Sequence, residues 1–510
     1  MMAMAQDCAL VGLDGALVEV EVDITDGLPE FTIVGLPDTT LNETKERVRA
    51  AIKNSGYLFP DKHIAINLAP ADLLKEGPAC EFSMAVGILL ASGQIKPSAQ
   101  TGDSLFLGEL SPDGSVQHRN GILPMVALAT ERRVRTVFVS VTDAVEATLV
   151  EGVTAYPVAT LGQLVAHLND ERRLEPYKRD PHLFESVNEV VDPHDVSSVR
   201  GQEHVKRVLE VAASGGHHVL MTGPPGSGKT LLARTIPSIL PRMNMREALD
   251  IAKIYSVGGL LPSHMQQILQ RPFRALPHTI GYEELVGDGR VPPPGEASLA
   301  HRGVIFLDGL SEFRQDLLEG VRQLLEDKAI TFSRVQGMIT YPANFMLVTT
   351  MEPCPCGFFG DPVKECTCSS AAISRYRKHI GKQLLDRIDM HVEVPRVDYS
   401  KLANKRQVET SAAIRSRVQA ARDRQLQRFA GTNLTCNAEM GPSEVQDFCG
   451  IEPAAESLLK AAIHQLCLSV HALHQVLRVA RTIADLNGSE VIAANHLAEA
   501  IHYRSRMGMW

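Results

Sequence analysis

The chain has 510 residues, 44% of them apolar, and its 51 Lys and Arg against 60 Asp and Glu leave a formal net charge of −9. At about 100–200 residues per domain it is too long for one core, and its acidic balance excludes a protein that coats nucleic acid indiscriminately. Nine cysteines form no even disulfide framework, there is no apolar run long enough to span a bilayer, and the N-terminus carries no basic-then-apolar leader, so a reducing cytoplasm is expected.

Residues 9–34 alternate as strands do: Leu17, Val18, Glu19, Val20, Glu21 and Val22 run up to a turn at Asp26 and Gly27, and Phe31, Ile33 and Val34 resume beyond it. The period becomes helical over 42–54, with Leu41, Val48, Ala51 and Ile52 on one side and Gly56 closing the helix. Strand-like runs follow at 63–68, 104–107 and 136–141, with helical segments over 82–91 and after Gly121. Together these predict an α+β domain over 1–168. Residues 169–198 are charged and proline-bearing without a period, and read as a linker.

The next unit opens with an amphipathic helix carrying Val205, Val208, Leu209, Val211 and Ala212, which feeds an apolar strand of Val219, Leu220 and Met221. Then come Gly223, Pro224, Pro225, Gly226, Ser227, Gly228, Lys229 and Thr230, which satisfy the P-loop pattern G-x-x-x-x-G-K-[ST]. The glycines let backbone N–H groups close around phosphate oxygens, Lys229 reaches the β and γ phosphates, and the Thr230 hydroxyl is placed to ligate Mg²⁺. A helix starting at the lysine adds its positive end beneath the anion. The buried run at 303–308 ends in Asp308, a carboxylate suited to the Mg²⁺ hydration shell. A nucleoside triphosphate with Mg²⁺ is therefore expected, and the resemblance named below implies ATP.

Four cysteines, Cys354, Cys356, Cys366 and Cys368, surround a turn-rich stretch and are placed to close a tetrahedral S₄ site suited to zinc. The alternative is a reduced loop without metal. Residues 323–342 read as two strands around Arg334, Val335, Gln336 and Gly337. The 408–429 helix carries Arg415, Arg417, Arg422, Arg424 and Arg428 at helical spacing, a solvated or subunit-facing surface in one reading and a backbone contact for DNA in another. Helical segments over 456–465, 471–486 and 493–503 complete the chain, giving a core over 199–400 and a helical region over 401–510.

Three segments, VGLPDTTLNETKERVRAAIKNSGYLFP, INLAPADLLKEGPACEFSMAVGILLASGQI and GELSPDGSVQHRNGILP, resemble the N-terminal Lon-protease-domain-like module of the ComM/YifB family, Mg-chelatase-like AAA+ proteins. The motifs over 200–397 resemble the same class. The resemblance implies an α/β multidomain chain: a Lon-like α+β domain, an AAA+ core and a helical lid. It also implies a homo-oligomeric ring, a hexamer, or a mixed ring, with no membrane association. A Lon protease carries a Ser and a Lys where this chain has Ala79 and Pro124, which leaves peptide hydrolysis without a nucleophile.

The resemblance assigns further roles. Arg387 in LLDRIDMHVEVPR matches the family's arginine finger, and Arg334 lies at the tip of a hairpin like the one helicase-type rings project into a pore, where it would touch a DNA backbone or else pack on a neighbour. The loop carrying Arg271, Arg274 and Arg290 looks like the family's insertion. Three positions depart from the pattern: Gly309 replaces the Walker B Glu, Glu352 the sensor-1 Asn, and His471 the sensor-2 Arg. A missing general base costs about 10²–10⁴ in rate, so impaired hydrolysis is expected. The implied function is a DNA-associated motor for branch migration during uptake and recombination. The alternatives are a nucleotide-sensing scaffold that does not hydrolyse ATP and a chelatase-type subunit, a class expected to lack the Lon-like module.

Overall fold

The computed structural model describes residues 2–35, 38–70, 80–179, 194–261, 270–289, 292–334, 337–397 and 409–504. Ala79 and Arg290 lie outside the described residues, as do 180–193 of the linker, and Arg334 is described by its backbone alone. The chain divides into two compact units: residues 1–186, 248–268 and 331–341 form the first, and 187–247, 269–330 and 342–510 the second.

The first unit is built on a mixed seven-stranded sheet. Its strands are β1 (Met2–Val11), β2 (Asp14–Thr25), β3 (Glu30–Val34), β4 (His63–Ala69), β5 (Ser104–Phe106), β8 (Thr136–Ser140) and β9 (Thr154–Val158), in the order β3-β4-β2-β1-β5-β8-β9. A short ribbon, β6 (Glu109–Leu110) with β7 (Val116–Gln117), lies beside it. The alternation in β2 sets its faces: Val18, Val20, Val22 and Ile24 are buried while Asp23 is exposed. Against that buried face packs the helix Glu81–Ala91, every residue of which is buried. Pro124, at the place of the protease lysine, is buried in the helix Ile122–Glu131. Also in this unit, Asp7 is buried and bound by Arg119 at 2.7 Å and by the Ser83 hydroxyl at 2.6 Å.

The second unit holds a five-stranded parallel sheet: β10 (Val219–Thr222), β11 (Phe273–Leu276), β12 (Val304–Leu307), β15 (Met346–Met351) and β16 (Met390–Glu393), ordered β11-β12-β15-β10-β16. Such strands are covered on both faces, hence their continuous apolar runs. The order places β10 inside the sheet, with later strands on either side. The loops at the carboxyl ends of β10, β12 and β15 thus converge, the usual ligand position in open α/β sheets. Between β12 and β15 the chain forms a hairpin of β13 (Ala329–Arg334) and β14 (Gly337–Pro342).

The C-terminal helices Ser411–Arg428, Pro453–Leu466, Val470–Leu486 and Ala494–Arg504 share one hydrophobic core with this sheet and with the helix Glu203–Gly215. The five arginines of Ser411–Arg428 all find acceptors within their own unit, and Arg422 is buried while Arg417 and Arg424 stay exposed. Arg422 donates to the carbonyls of Ser214 and Ala213, Arg415 to Ser238, Arg424 to Asp485, Arg417 to the carboxylates of Glu210 and Glu409, and Arg428 to Asp485. Spacing predicted a solvated, subunit-facing or DNA-facing stripe; Arg417 and Arg424 are exposed, while Arg415, Arg422 and Arg428 tie the helix to the rest of its own unit. No helix among the described residues is long and apolar enough to cross a membrane.

Candidate functional site

The loop after β10 turns back over the strand end and runs into the helix Lys229–Arg234. Its first glycine is required by close approach: a Cβ on Gly223 would sit 2.2 Å from the Val394 carbonyl oxygen. Gly226 and Gly228 have φ of 76° and 91°, which turns successive amides into the loop. The Lys229 ammonium folds back on this cradle and donates to the carbonyls of Gly223 at 2.8 Å and Pro224 at 3.0 Å. Burial holds its pKa below the ordinary lysine range, against the opposing pull of Glu352 and Asp308.

The two expected Mg²⁺ ligands lie side by side. The Thr230 hydroxyl donates to one oxygen of Asp308 at 2.9 Å, and the Thr350 hydroxyl donates to the other at 2.6 Å. Thr350 accepts in turn from the Gly309 amide at 2.8 Å, which orients the carboxylate from β12 by a hydroxyl on β15. Thr350 escaped the sequence reading; the signal was the pair Thr349 and Thr350, two hydroxyls in an otherwise apolar buried strand.

At Gly309 the backbone is left-handed, with φ 72° and ψ 64°. Glu352 leaves β15 beside the loop: its carbonyl accepts from the Tyr376 hydroxyl at 3.0 Å, and its charge acts on Lys229. The structure thus brings Lys229, Thr230, Asp308, Gly309 and Glu352 together.

Arg387 and His471 lie elsewhere in the unit. Both line a cleft of about 840 Å³ with Arg322, Glu326 and Arg504, and no P-loop residue lines it. Arg387 pairs with Glu326 at 2.6 Å. Burial, then repulsion from Arg387, Arg478 and Arg504, lowers the His471 pKa, so it presents a neutral imidazole. A neighbouring subunit's nucleotide is the kind of group an arginine held away from its own P-loop can serve.

The four cysteines gather on the loop after Glu352, their sulfurs all within 4.8 Å of one another. Cys354 lies 3.3 Å from Cys356 and 3.6 Å from Cys366, and Cys356 lies 3.6 Å from Cys366. All four are free thiols. The set has the chemistry and the spread to take one soft metal ion.

Comparison with known proteins matches residues 195–402 to the family described as "Magnesium chelatase, subunit ChlI", 20–143 to "Subunit ChlI of Mg-chelatase" and 408–504 to "Magnesium chelatase, subunit ChlI C-terminal". The chain is 38% identical to "Competence protein ComM" of Haemophilus influenzae over 99% of its own length and 97% of that protein's. It is 39% identical to "Uncharacterized protein YifB" of Escherichia coli over 98% and 96% respectively. The chain belongs to the ComM/YifB family of Mg-chelatase-like proteins. A weaker likeness, 26% identity over 154 residues, links this ComM/YifB-family chain to "Lon protease 2" of Bacillus subtilis. The parallel sheet, P-loop and helical C-terminal region are consistent with an AAA+-type fold.

Proposed function

We propose that this chain binds ATP with Mg²⁺ at the loop of residues 223–230, as one subunit of a cytoplasmic ring that acts on DNA and turns ATP over slowly. The observation that carries the reading is the triad of Lys229, Thr230 and Asp308, with Thr350 fixing the carboxylate. Lys229 would exchange its two carbonyl partners for phosphate oxygens, and Thr230 and Asp308 would hold the metal and its waters. The ring, a hexamer or a mixed ring, is supported by family membership and by Arg387 standing apart from the P-loop of its own chain. The partner class in this reading is DNA backbone; a relative is named a competence protein, and the hairpin bearing Arg334 is the candidate contact. Residues 1–168 serve in this reading as a Lon-like, non-proteolytic module, and 401–510 as the lid.

Gly309 carries the second reading, a subunit that senses ATP without hydrolysing it. A glycine supplies no carboxylate to orient water, and Glu352 adds negative charge where the family has an amide. A chelatase-type role finds less support in the residues, although the N-terminal module no longer counts against it, since 20–143 match a ChlI family as well.

The test is steady-state ATP hydrolysis with and without forked and single-stranded DNA, beside nucleotide binding, for the native chain and Lys229→Ala. Binding lost in Lys229→Ala supports the nucleotide site, and DNA-stimulated turnover supports the motor. Binding by the native chain with no turnover under any condition selects the sensing subunit, and no binding at all refutes both.

A further inference from the structure

We infer that Cys354, Cys356, Cys366 and Cys368 hold one zinc ion, and that this knot braces the phosphate loop, so that metal occupancy and nucleotide binding are coupled. The metal half rests on sulfur geometry alone. Zinc bound at about 2.3 Å by four sulfurs in a tetrahedron spaces them about 3.8 Å apart. The separations among Cys354, Cys356 and Cys366, 3.3, 3.6 and 3.6 Å, lie close to that edge and far from the ~2.05 Å of a disulfide, and Cys368 lies within 4.8 Å of each.

The coupling rests on the nucleotide reading above and on what the knot touches. Cys354 stands two residues after Glu352, whose charge acts on Lys229 and whose carbonyl is held by Tyr376. Gly357, next to Cys356, has φ 80°, and a Cβ there would lie 2.6 Å from the Pro225 ring and 2.9 Å from a carboxylate oxygen of Glu352. The cysteine loop is thus seated on the middle of the phosphate loop with no room for a methyl group. At the base of the same contact, the Gly223 amide meets the Met351 carbonyl at 3.3 Å. Without metal, nothing fixes the mutual distance of the four sulfurs. The loop then relaxes away from Pro225, and the amides that would meet phosphate lose their support. By linkage, nucleotide must hold the metal as firmly as the metal holds the loop.

The experiment uses the full chain. Zinc is first counted by mass spectrometry after gel filtration in metal-free buffer, before any nucleotide is added. Binding of a fluorescent ATP analogue with Mg²⁺ is then measured on loaded protein, on protein stripped with a mercurial and chelator and returned to reductant, and on stripped protein re-loaded with zinc. Far-ultraviolet circular dichroism checks that stripping leaves the helices formed, and Cys368→Ser repeats the loss without a mercurial. One zinc per chain is expected, with affinity falling on stripping by roughly 5- to 150-fold and returning on re-loading. Nucleotide should slow zinc release by a comparable factor. A chain that carries no zinc and shows all four thiols reactive overturns the metal site. Equal affinity in the stripped and loaded states overturns the brace. A loaded chain that binds no nucleotide counts against the nucleotide reading and removes the coupling with it, while the zinc count still decides the metal site.

Discussion

Restoring a carboxylate at position 309 tests the proposed mechanism where its outcome is least trivial. Gly309 sits at φ 72° and ψ 64°, so any L side chain there carries about 1–2 kcal/mol of backbone strain. Space is not the obstacle, because a Cβ would first meet the Glu312 carboxylate at 3.1 Å, the mobile end of a flexible side chain. Gly309→Ala should therefore lose about 1–2 kcal/mol in urea unfolding without gaining turnover. Gly309→Glu should lose a similar amount, with a further small cost from a second carboxylate beside Glu312, and should gain hydrolysis by up to about 10²–10⁴ if water activation is limiting. Turnover is measured at saturating ATP and Mg²⁺, with binding confirmed on the same samples. Two results refute the reasoning: an alanine variant as stable as the native chain, which would mean the left-handed backbone is not maintained, or a glutamate variant that binds ATP and turns over no faster.

Other perturbations probe the same physics. Burial pushes the Glu81 carboxyl from 4.5 up to about 7, with Arg47 at 3.9 Å only partly opposing it. The folded chain then keeps a proton that the unfolded chain releases, so stability should fall as pH rises from about 4.5 to 7, by at most ~3 kcal/mol. Glu81→Gln should remove that loss, raising the unfolding midpoint at pH 8 while leaving it unchanged at pH 4; equal gains at both values would refute the assignment. Arg422→Ala removes the Ala213 carbonyl's side-chain donor and one of two from the Ser214 carbonyl, which keeps Gln425, and should cost about 3 kcal/mol in urea unfolding, while the salt dependence of any DNA binding stays as it was. A shallower salt slope with unchanged stability would make that helix a DNA face after all. Gly357→Ala should weaken ATP-analogue binding while zinc content stays at one per chain, and loss of metal with affinity retained would contradict it.

What the sequence made legible was local chemistry. The strand alternation at Val18, Val20 and Val22, the helix over 82–91 and the phosphate loop each carry their whole signal within about ten residues. Strand β9 went unread because Pro157 argues against a strand, and its place at the sheet edge is what tolerates the proline. The arginines of Ser411–Arg428 announced a helix but not the partners of Arg415 and Arg422, since their acceptors at Ala213, Ser214 and Ser238 lie about two hundred residues earlier in the chain. Thr350 was missed for the same reason: its partner Asp308 follows another strand, and only parallel pairing within the sheet brings the two into reach.

The first unit draws on three separate stretches, the last of them 331–341, inside the portion of sequence that also carries the P-loop and Asp308. A ribosome making this chain has finished the P-loop well before the N-terminal unit has all of its pieces. A fragment ending in the linker would lack two native segments of that unit, and a fragment starting there would carry the same two segments without their partners. Completion of the N-terminal unit is therefore tied to synthesis of the sequence that follows the P-loop.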